Sequence, residues 1–370
     1  MPWPGLHTRP AAQASLVTLQ PLHAFRKAPP ARASRAPRDD MGSDDIKFDH
    51  TVSPFTLLSS CPLPALRPGI KIIRMSNATP LVIAVLVAEL VPAVAFGCAA
   101  ERVAQAVARW PLAVRVALPA VLVVPYVVIA AAQHMFRWQW FALYAGLPVV
   151  IAWLLARAAA ADPEQRGNWR DAVILLTLGL AVDLRWFDVA WPAGLRGLAN
   201  LLLVDAGLYG FLAIRRLSGT GFDFHLRWSD WKSDWKTGLR ELLFFAPVVL
   251  VLGYALGFIH PHASLPPVGK AVLSWAGIFV FVAIPEELFF RAWVQNLLER
   301  RVGRRAAMII ASMLFGLSHF NKRSAHFNWR YVLLATIAGI FYGRAWREHR
   351  RVPASTITHT CVDWLWSWWF

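Results

Sequence analysis

Charge is scarce in this sequence. Only 16% of its 370 residues are Asp, Glu, Lys or Arg, against about a quarter in an average soluble chain. Cysteine is scarcer still: Cys61, Cys98 and Cys361 form no CxxC or other metal-ligand spacing, which excludes a disulfide framework and a zinc finger. The N-terminus lacks the pattern of a basic region, an apolar core and a small-residue cleavage site, so no signal peptide is expected. Acidic residues number 22 against 38 basic ones, a net charge of +16. The Lys and Arg residues punctuate apolar blocks and form no stripe on a soluble face. They read as topology signals, and no nucleic acid is expected as a partner.

Apolar residues are what the chain has in abundance, 57% of the total, with a mean hydropathy of +0.44. They come in runs near twenty residues long, at 80–99, 116–132, 141–156 and 242–259. Runs of that length are membrane spans. The expectation is an all-α, polytopic transmembrane helix bundle of about eight to ten spans, with membrane lipid as its surroundings. Its expected location is a multi-pass position in a bacterial inner (plasma) membrane.

Residues 1–74 differ in kind. They hold 11 of the 25 prolines and the acidic patch of Asp39, Asp40, Asp44 and Asp45, a composition expected to be disordered. Met75 immediately precedes the first apolar block and is an alternative start of translation. Residues 75–268 are expected to form N-terminal transmembrane helices, and 269–370 a second group of helices.

Basic clusters lie at Arg102/Arg109, Arg157/Arg166/Arg170, Arg215/Arg216, Arg300/Arg301/Arg304/Arg305 and Arg344/Arg347/Arg350/Arg351, with two spans between successive clusters. That spacing places all of them on one side, the cytoplasmic one by the positive-inside rule. The basic loop 321–330 falls on the other side. Near 224–240, Phe224, Trp228, Trp231, Trp235 and Leu239 recur at helical spacing among Asp230, Lys232, Asp234 and Lys236, the pattern of an interfacial amphipathic helix.

Ionisable groups inside spans cost about 2.5 to 3.5 kcal/mol each on insertion scales, so each is a functional candidate. Glu286 lies 14 residues before Arg300, and His319 lies 13 residues after Ala306. At 1.5 Å per residue both are roughly 20 Å from the same membrane face. His359 and Asp363, 8 and 12 residues beyond Arg351, are at roughly 12 and 18 Å. Four polar groups on three helices thus converge on one layer. Glu287 and Arg291, at i and i+4, can pair, whereas Glu286 points about 100° away and stays available. His359 and Asp363 also share a face. Pro285 before two acidic residues could begin a helix, but the preceding block 271–284 is too short to span alone, and a single span kinked at Pro285 fits better. Glu89, Arg115 and Asp205 are isolated within spans and are read as packing or interhelical pairing.

Glu286, Glu287 and Arg291 in EELFFR resemble an EExxxR motif, Phe315 and His319 in FGLSH an FxxxH motif, and His359 and Asp363 in HTCVD an HxxxN/D motif. These are the motifs of the CPBP family, which contains the CAAX prenyl endopeptidases of the Rce1 type and bacterial relatives. Ala338 to Gly343 resembles the small-residue helix between the last two motifs. The resemblance covers about 269 to the C-terminus and implies an intramembrane endopeptidase acting on a membrane-associated peptide or protein. It implies that Glu286 and His319 activate water, that His359 and Asp363 stabilise the oxyanion, and that no cofactor is required. The final position is Asp where the prenyl endopeptidases carry Asn. Either burial keeps Asp363 protonated, or it orients His359, or Glu286, His319, His359 and Asp363 are candidates to hold zinc. A proton- or ion-coupled transporter is the alternative reading, although no inverted repeat is visible; a non-catalytic scaffold or immunity protein is the third.

Overall fold

The computed structural model describes residues 79–370 apart from 226, 263–264 and 323–325. The proline-rich stretch 1–74 and Met75 lie outside the described residues. The described residues form an all-α bundle with no strand. Its helices are α1 (Thr79–Ala108), α2 (Leu112–Ala132), α3 (Trp138–Ala161), α4 (Trp169–Asp183), α5 (Ala193–Ile214), α6 (Trp228–Ala255), α7 (Val268–Val302), α8 (Arg304–Leu317), α9 (Trp329–His349) and α10 (Val352–Trp369).

Six of these, α1, α2, α3, α5, α6 and α7, are long and apolar enough to cross a membrane. This is an integral multi-pass membrane protein. The expected eight to ten spans exceed that count for two physical reasons. Helices α4 and α8 are only 15 and 14 residues long, and α9 and α10 carry basic, hydroxyl, His and Asp side chains that dilute their apolar content.

The bundle is apolar outside and partly polar inside. Ile83, Val87, Val91 and Val94 of α1 and Leu243, Val251 and Tyr254 of α6 are exposed, while Asp234, Glu241, Glu287, Arg291, Gln295, Ser355, Thr356, Thr358 and His359 are buried. Lipid is as apolar as a leucine side chain, so the interior of such a bundle is free to hold polar groups that pair with one another. Helix α10 is its axis: all residues from Val352 to Cys361 are buried.

The basic clusters meet at one end. Arg216 bonds Glu101 at 2.9 Å, Arg300 bonds the Gln165 carbonyl at 3.0 Å, and Arg301 bonds the Arg166 carbonyl at 3.1 Å. Arg350 bonds Glu299 at 2.5 Å and Arg351 bonds Asp234 at 3.0 Å. The segment 218–224 is strapped across this end beneath the corner between α9 and α10. The Val352 amide donates to the Gly221 carbonyl at 2.8 Å and the Trp346 indole to the Thr220 carbonyl at 3.0 Å. Gly221 is required there: its φ is +69°, and a Cβ would fall 1.9 Å from the Arg350 carbonyl oxygen. Farther on, the Phe224 amide donates at 2.8 Å to the Gly97 carbonyl, beside Ala99, whose non-helical backbone kinks α1.

The amphipathic stretch near 224–240 is helical from Trp228 and runs without a break into the apolar part of α6, which ends at Ala255; Phe224 precedes the helix. Trp228, Trp235 and Leu239 face outward as the amphipathic pattern requires, but the opposite face is buried on the protein. Arg351 and Arg344 supply the partners that allow this, pairing with Asp234 and Glu241 at 3.0 Å each.

Helix α7 continues without a break through Pro285. Residues Phe279–Ala283 and Leu288–Gln295, on either side of it, are wound as π-helix. Proline offers no amide to the helical ladder, and the wider i→i+5 turns accommodate that gap without ending the helix. The single span expected from the sequence is therefore present, with two π segments flanking the glutamate pair.

Candidate active site

Helix α7 delivers three groups to the bundle interior. Glu287 and Arg291 are fully buried, and their i,i+4 pairing closes with Arg291 Nε donating to Glu287 Oε2 at 3.0 Å. Glu286, one residue earlier, is only partly covered, with a side chain 26% exposed. Its Oε1 lies 3.9 Å from Lys322 Nζ, a group that the sequence reading did not single out. Its Oε2 is buried with no hydrogen-bond partner. An orphaned acceptor of this kind calls for a partner that the protein does not itself provide.

His319 sits in the turn that ends α8. Its Nδ1 is 2.9 Å from the Phe315 carbonyl oxygen, one helical turn back, and 3.2 Å from the Ser318 hydroxyl. A carbonyl only accepts, so Nδ1 carries the hydrogen and Nε2 of the neutral ring keeps its lone pair. Glu286, Asp363 and Lys322 are the charged side chains close enough to act on this ring.

Helix α10 brings the remaining pair. His359 is buried and donates from Nδ1 to Glu287 Oε1 at 3.0 Å. Its Nε2 faces Asp363 Oδ2 at 3.4 Å and Glu286 Oε2 at 3.8 Å. Asp363 stands at the rim, its side chain 40% exposed. All six residues expected at the site therefore come together.

Three partners escaped the sequence reading. The i,i+4 spacing pairs Glu287 with Arg291 alone, yet its second oxygen orients His359 across 72 residues of chain. Tyr342 of α9 stacks on the His359 ring with centroids 4.6 Å apart. Lys322 is the third. The regular i,i+4 signal that exposed the other pairs cannot report contacts between helices. Among the described residues, no group of three His, Cys, Asp or Glu side chains is drawn together as a metal-ligand set.

Residues 268–365 match the family model described as type II CAAX prenyl endopeptidase Rce1-like. This stretch is similar to that family. The match covers about a quarter of the chain, from the start of α7 into α10, and supports membership of the CPBP/Rce1-like family for the part that carries the three motifs. At family level it supports a CAAX-type intramembrane protease. No curated protein and no solved structure matches the chain. Helices α1–α6 precede the Rce1-like region, and α4 and α5 pack directly on it: a Cβ placed on Gly179 would lie 3.1 Å from the Phe289 ring, and one on Gly207 would lie 2.5 Å from the Trp293 ring.

The isolated ionisable groups of the N-terminal helices divide. Arg115 contributes its backbone carbonyl to the Tyr209 hydroxyl at 2.6 Å. Glu89 and Asp205 are buried and electrostatically coupled, and neither carboxylate oxygen of Glu89 has a hydrogen-bond partner.

Proposed function

We propose that this protein is an intramembrane endopeptidase that hydrolyses a peptide bond near the C-terminus of a membrane-associated, prenylated substrate, with Glu286 and His319 activating the water. The observation that carries this is the orphaned Glu286 Oε2, buried 3.8 Å from His359 Nε2 in a site that also holds His319, whose Nδ1 is tied to the Phe315 carbonyl at 2.9 Å. A water held by Glu286 and His319 gives one proton to this pair as its oxygen adds to the scissile carbonyl carbon. The carbonyl π electrons move to oxygen. As the tetrahedral oxyanion collapses, the C–N bond breaks and the proton passes to the departing nitrogen, leaving a new amine and a new carboxylic acid, which then ionises to the carboxylate.

His359 serves the oxyanion. Carboxylates stand at both of its nitrogens, 3.0 Å away at Glu287 and 3.4 Å away at Asp363. A ring flanked in this way can hold hydrogens on both nitrogens, and Nε2 then donates to the developing charge. Such a preorganised donor in a water-poor site is worth about 10²- to 10³-fold in rate. Asp363, at the rim and within reach of Nε2, orients His359 and needs no proton of its own for this. Zinc held by Glu286, His319, His359 and Asp363 is the competing mechanism.

The membrane supplies the substrate in two dimensions, and the basic end faces the cytoplasm. The test is a farnesylated peptide of CAAX form with a fluorophore and quencher flanking the expected bond, added to the purified protein in lipid nanodiscs. Glu286→Gln and His319→Ala should each abolish cleavage while insertion and thermal stability stay as in the wild type. Comparative proteomics of membranes carrying wild-type or Glu286→Gln protein would identify the natural substrates. Full cleavage by Glu286→Gln would remove the mechanism.

A further inference from the structure

We propose that Tyr342 is a positioning residue of this site: its ring holds the His359 imidazole in the plane from which Nε2 faces the gap between Glu286 and Asp363. The inference rests on the reading of His359 given above. Tyr342 lies outside all three sequence motifs, on α9, the helix between those that carry His319 and His359.

The geometry is specific. The rings of Tyr342 and His359 are 4.6 Å apart at centroid and 16° from parallel, a stacked arrangement. Phe315 closes the assembly from the side, meeting His359 edge-on at 5.6 Å and 89° and Tyr342 at 5.7 Å and 75°. The Arg291 guanidinium lies over the Phe315 ring at 5.4 Å and over the Tyr342 ring at 6.0 Å. Tyr342 is 1% exposed and far too enclosed to contact a peptide in the membrane.

Each contact removes a different freedom. The hydrogen bond to Glu287 selects which nitrogen points inward, but a tilt of the imidazole that barely stretches this bond sweeps Nε2 sideways, out of line with Glu286 and Asp363. A flat ring face stacked on the imidazole opposes that tilt, and an aliphatic side chain of similar bulk does not. Offset stacking also sets the electron-rich face of the phenol against a ring that carries positive charge when both nitrogens are protonated. The face provides the effect, so the hydroxyl is dispensable.

The test uses the full-length protein in nanodiscs with the farnesylated peptide. Tyr342→Phe should retain wild-type kcat. Tyr342→Leu should lower kcat by about 10- to 100-fold with KM unchanged, the scale of loss expected when a reacting group is misplaced by about 1 Å. Phe341→Leu, which packs on Phe245 at 5.5 Å, is the packing control and should keep its kcat. Independently of any activity, NMR of selectively labelled His359 should show ring protons shifted upfield by the stacked phenol in the wild type and in Tyr342→Phe, and unshifted in Tyr342→Leu.

Unshifted protons in the wild type would overturn the proposal even if Tyr342→Leu failed to fold. A wild-type kcat in Tyr342→Leu, or an equal loss in Tyr342→Phe and Tyr342→Leu, would also overturn it. Cleavage that depends on Glu286 yet is indifferent to Tyr342→Leu sinks this inference alone; cleavage indifferent to Glu286 sinks the proposed function.

Discussion

Glu287 Oε1 accepts a hydrogen bond from His359 Nδ1 at 3.0 Å while its Oε2 accepts one from Arg291 Nε at 3.0 Å, so a single buried carboxylate joins α7 to α10. Each of its oxygens neutralises a different neighbour, and none of the three groups reaches water. The carboxylate beside it, Glu286, is left with one oxygen unpartnered. The division of labour between two adjacent acidic residues therefore follows from which of them points at Arg291.

Glu287→Gln should accordingly damage the fold more than the chemistry of water activation. It leaves a guanidinium in a buried site without a counter-charge, a loss of about 3 to 5 kcal/mol for one broken buried pair. The amount of folded protein recovered from membranes should fall sharply, and the thermal midpoint with it. Glu286→Gln, by contrast, should fold normally. Equal recovery of the two variants in a size-exclusion assay would show that the two carboxylates are not distinguished in this way.

The legible and the hidden parts of this site differ in a simple physical respect. The pairing of Glu287 with Arg291 and the facing of His359 and Asp363 each lie within one helix, where a spacing of four fixes the neighbour. The bond between Glu287 and His359 and the stack of Tyr342 on His359 join residues brought together only by helix packing. An aromatic residue in a helix of small residues reads from sequence as filler. The fold shows the same split. The outward face of Trp228, Trp235 and Leu239 was visible, but its continuation into a span was not, because an interfacial helix and the first turns of a span share one amphipathic pattern. The partners that bury Asp234 and Glu241 come from Arg351 and Arg344, more than a hundred residues later.

A second prediction concerns the loop after α3. Burial by itself would raise the Asp162 carboxyl. The amides of Arg166 and Gly167 and the Arg215 guanidinium, 2.5 Å from Oδ2, together hold it below its ordinary value of 3.8. A depressed folded-state value means that the stabilisation is complete above pH 3.8 and is lost as the pH falls through the lower folded value. Asp162→Asn should lower the thermal midpoint at neutral pH by a few degrees and should flatten the acid limb of the stability profile. The check is nanodisc unfolding followed by tryptophan fluorescence from pH 7 down to 3.

Glu89 invites the opposite outcome. Both of its oxygens are buried without partners, and Asp205 is close enough to act on it electrostatically. A buried polar group in that condition costs about 1 to 3 kcal/mol. Glu89→Leu, close in volume and free of that cost, should raise the thermal midpoint and leave hydrolysis of the farnesylated peptide unchanged. A variant that is less stable than the wild type would mean that Glu89 holds a partner in the membrane that stabilises it.

Asp363 separates the two mechanisms. It lies at the rim of the site, 3.4 Å from His359 Nε2, where the prenyl endopeptidases carry Asn. If its task is to orient His359, Asp363→Asn keeps an oxygen able to accept from Nε2 in nearly the same volume, and an amide that can also donate to the oxyanion. Activity should then survive within about 10-fold, a loss of roughly 1.4 kcal/mol or less of transition-state stabilisation. If it is a zinc ligand, the change replaces an anionic oxygen with a weak neutral one, and metal content and activity should fall together. Metal analysis of the purified wild type, before and after chelation, supplies a readout independent of turnover. We expect wild-type activity to survive chelation and Asp363→Asn to stay active. An inactive Asp363→Asn protein that has lost one equivalent of zinc would place the metal at the centre of the reaction, with Glu286 and His319 as its ligands instead of a base pair acting on free water.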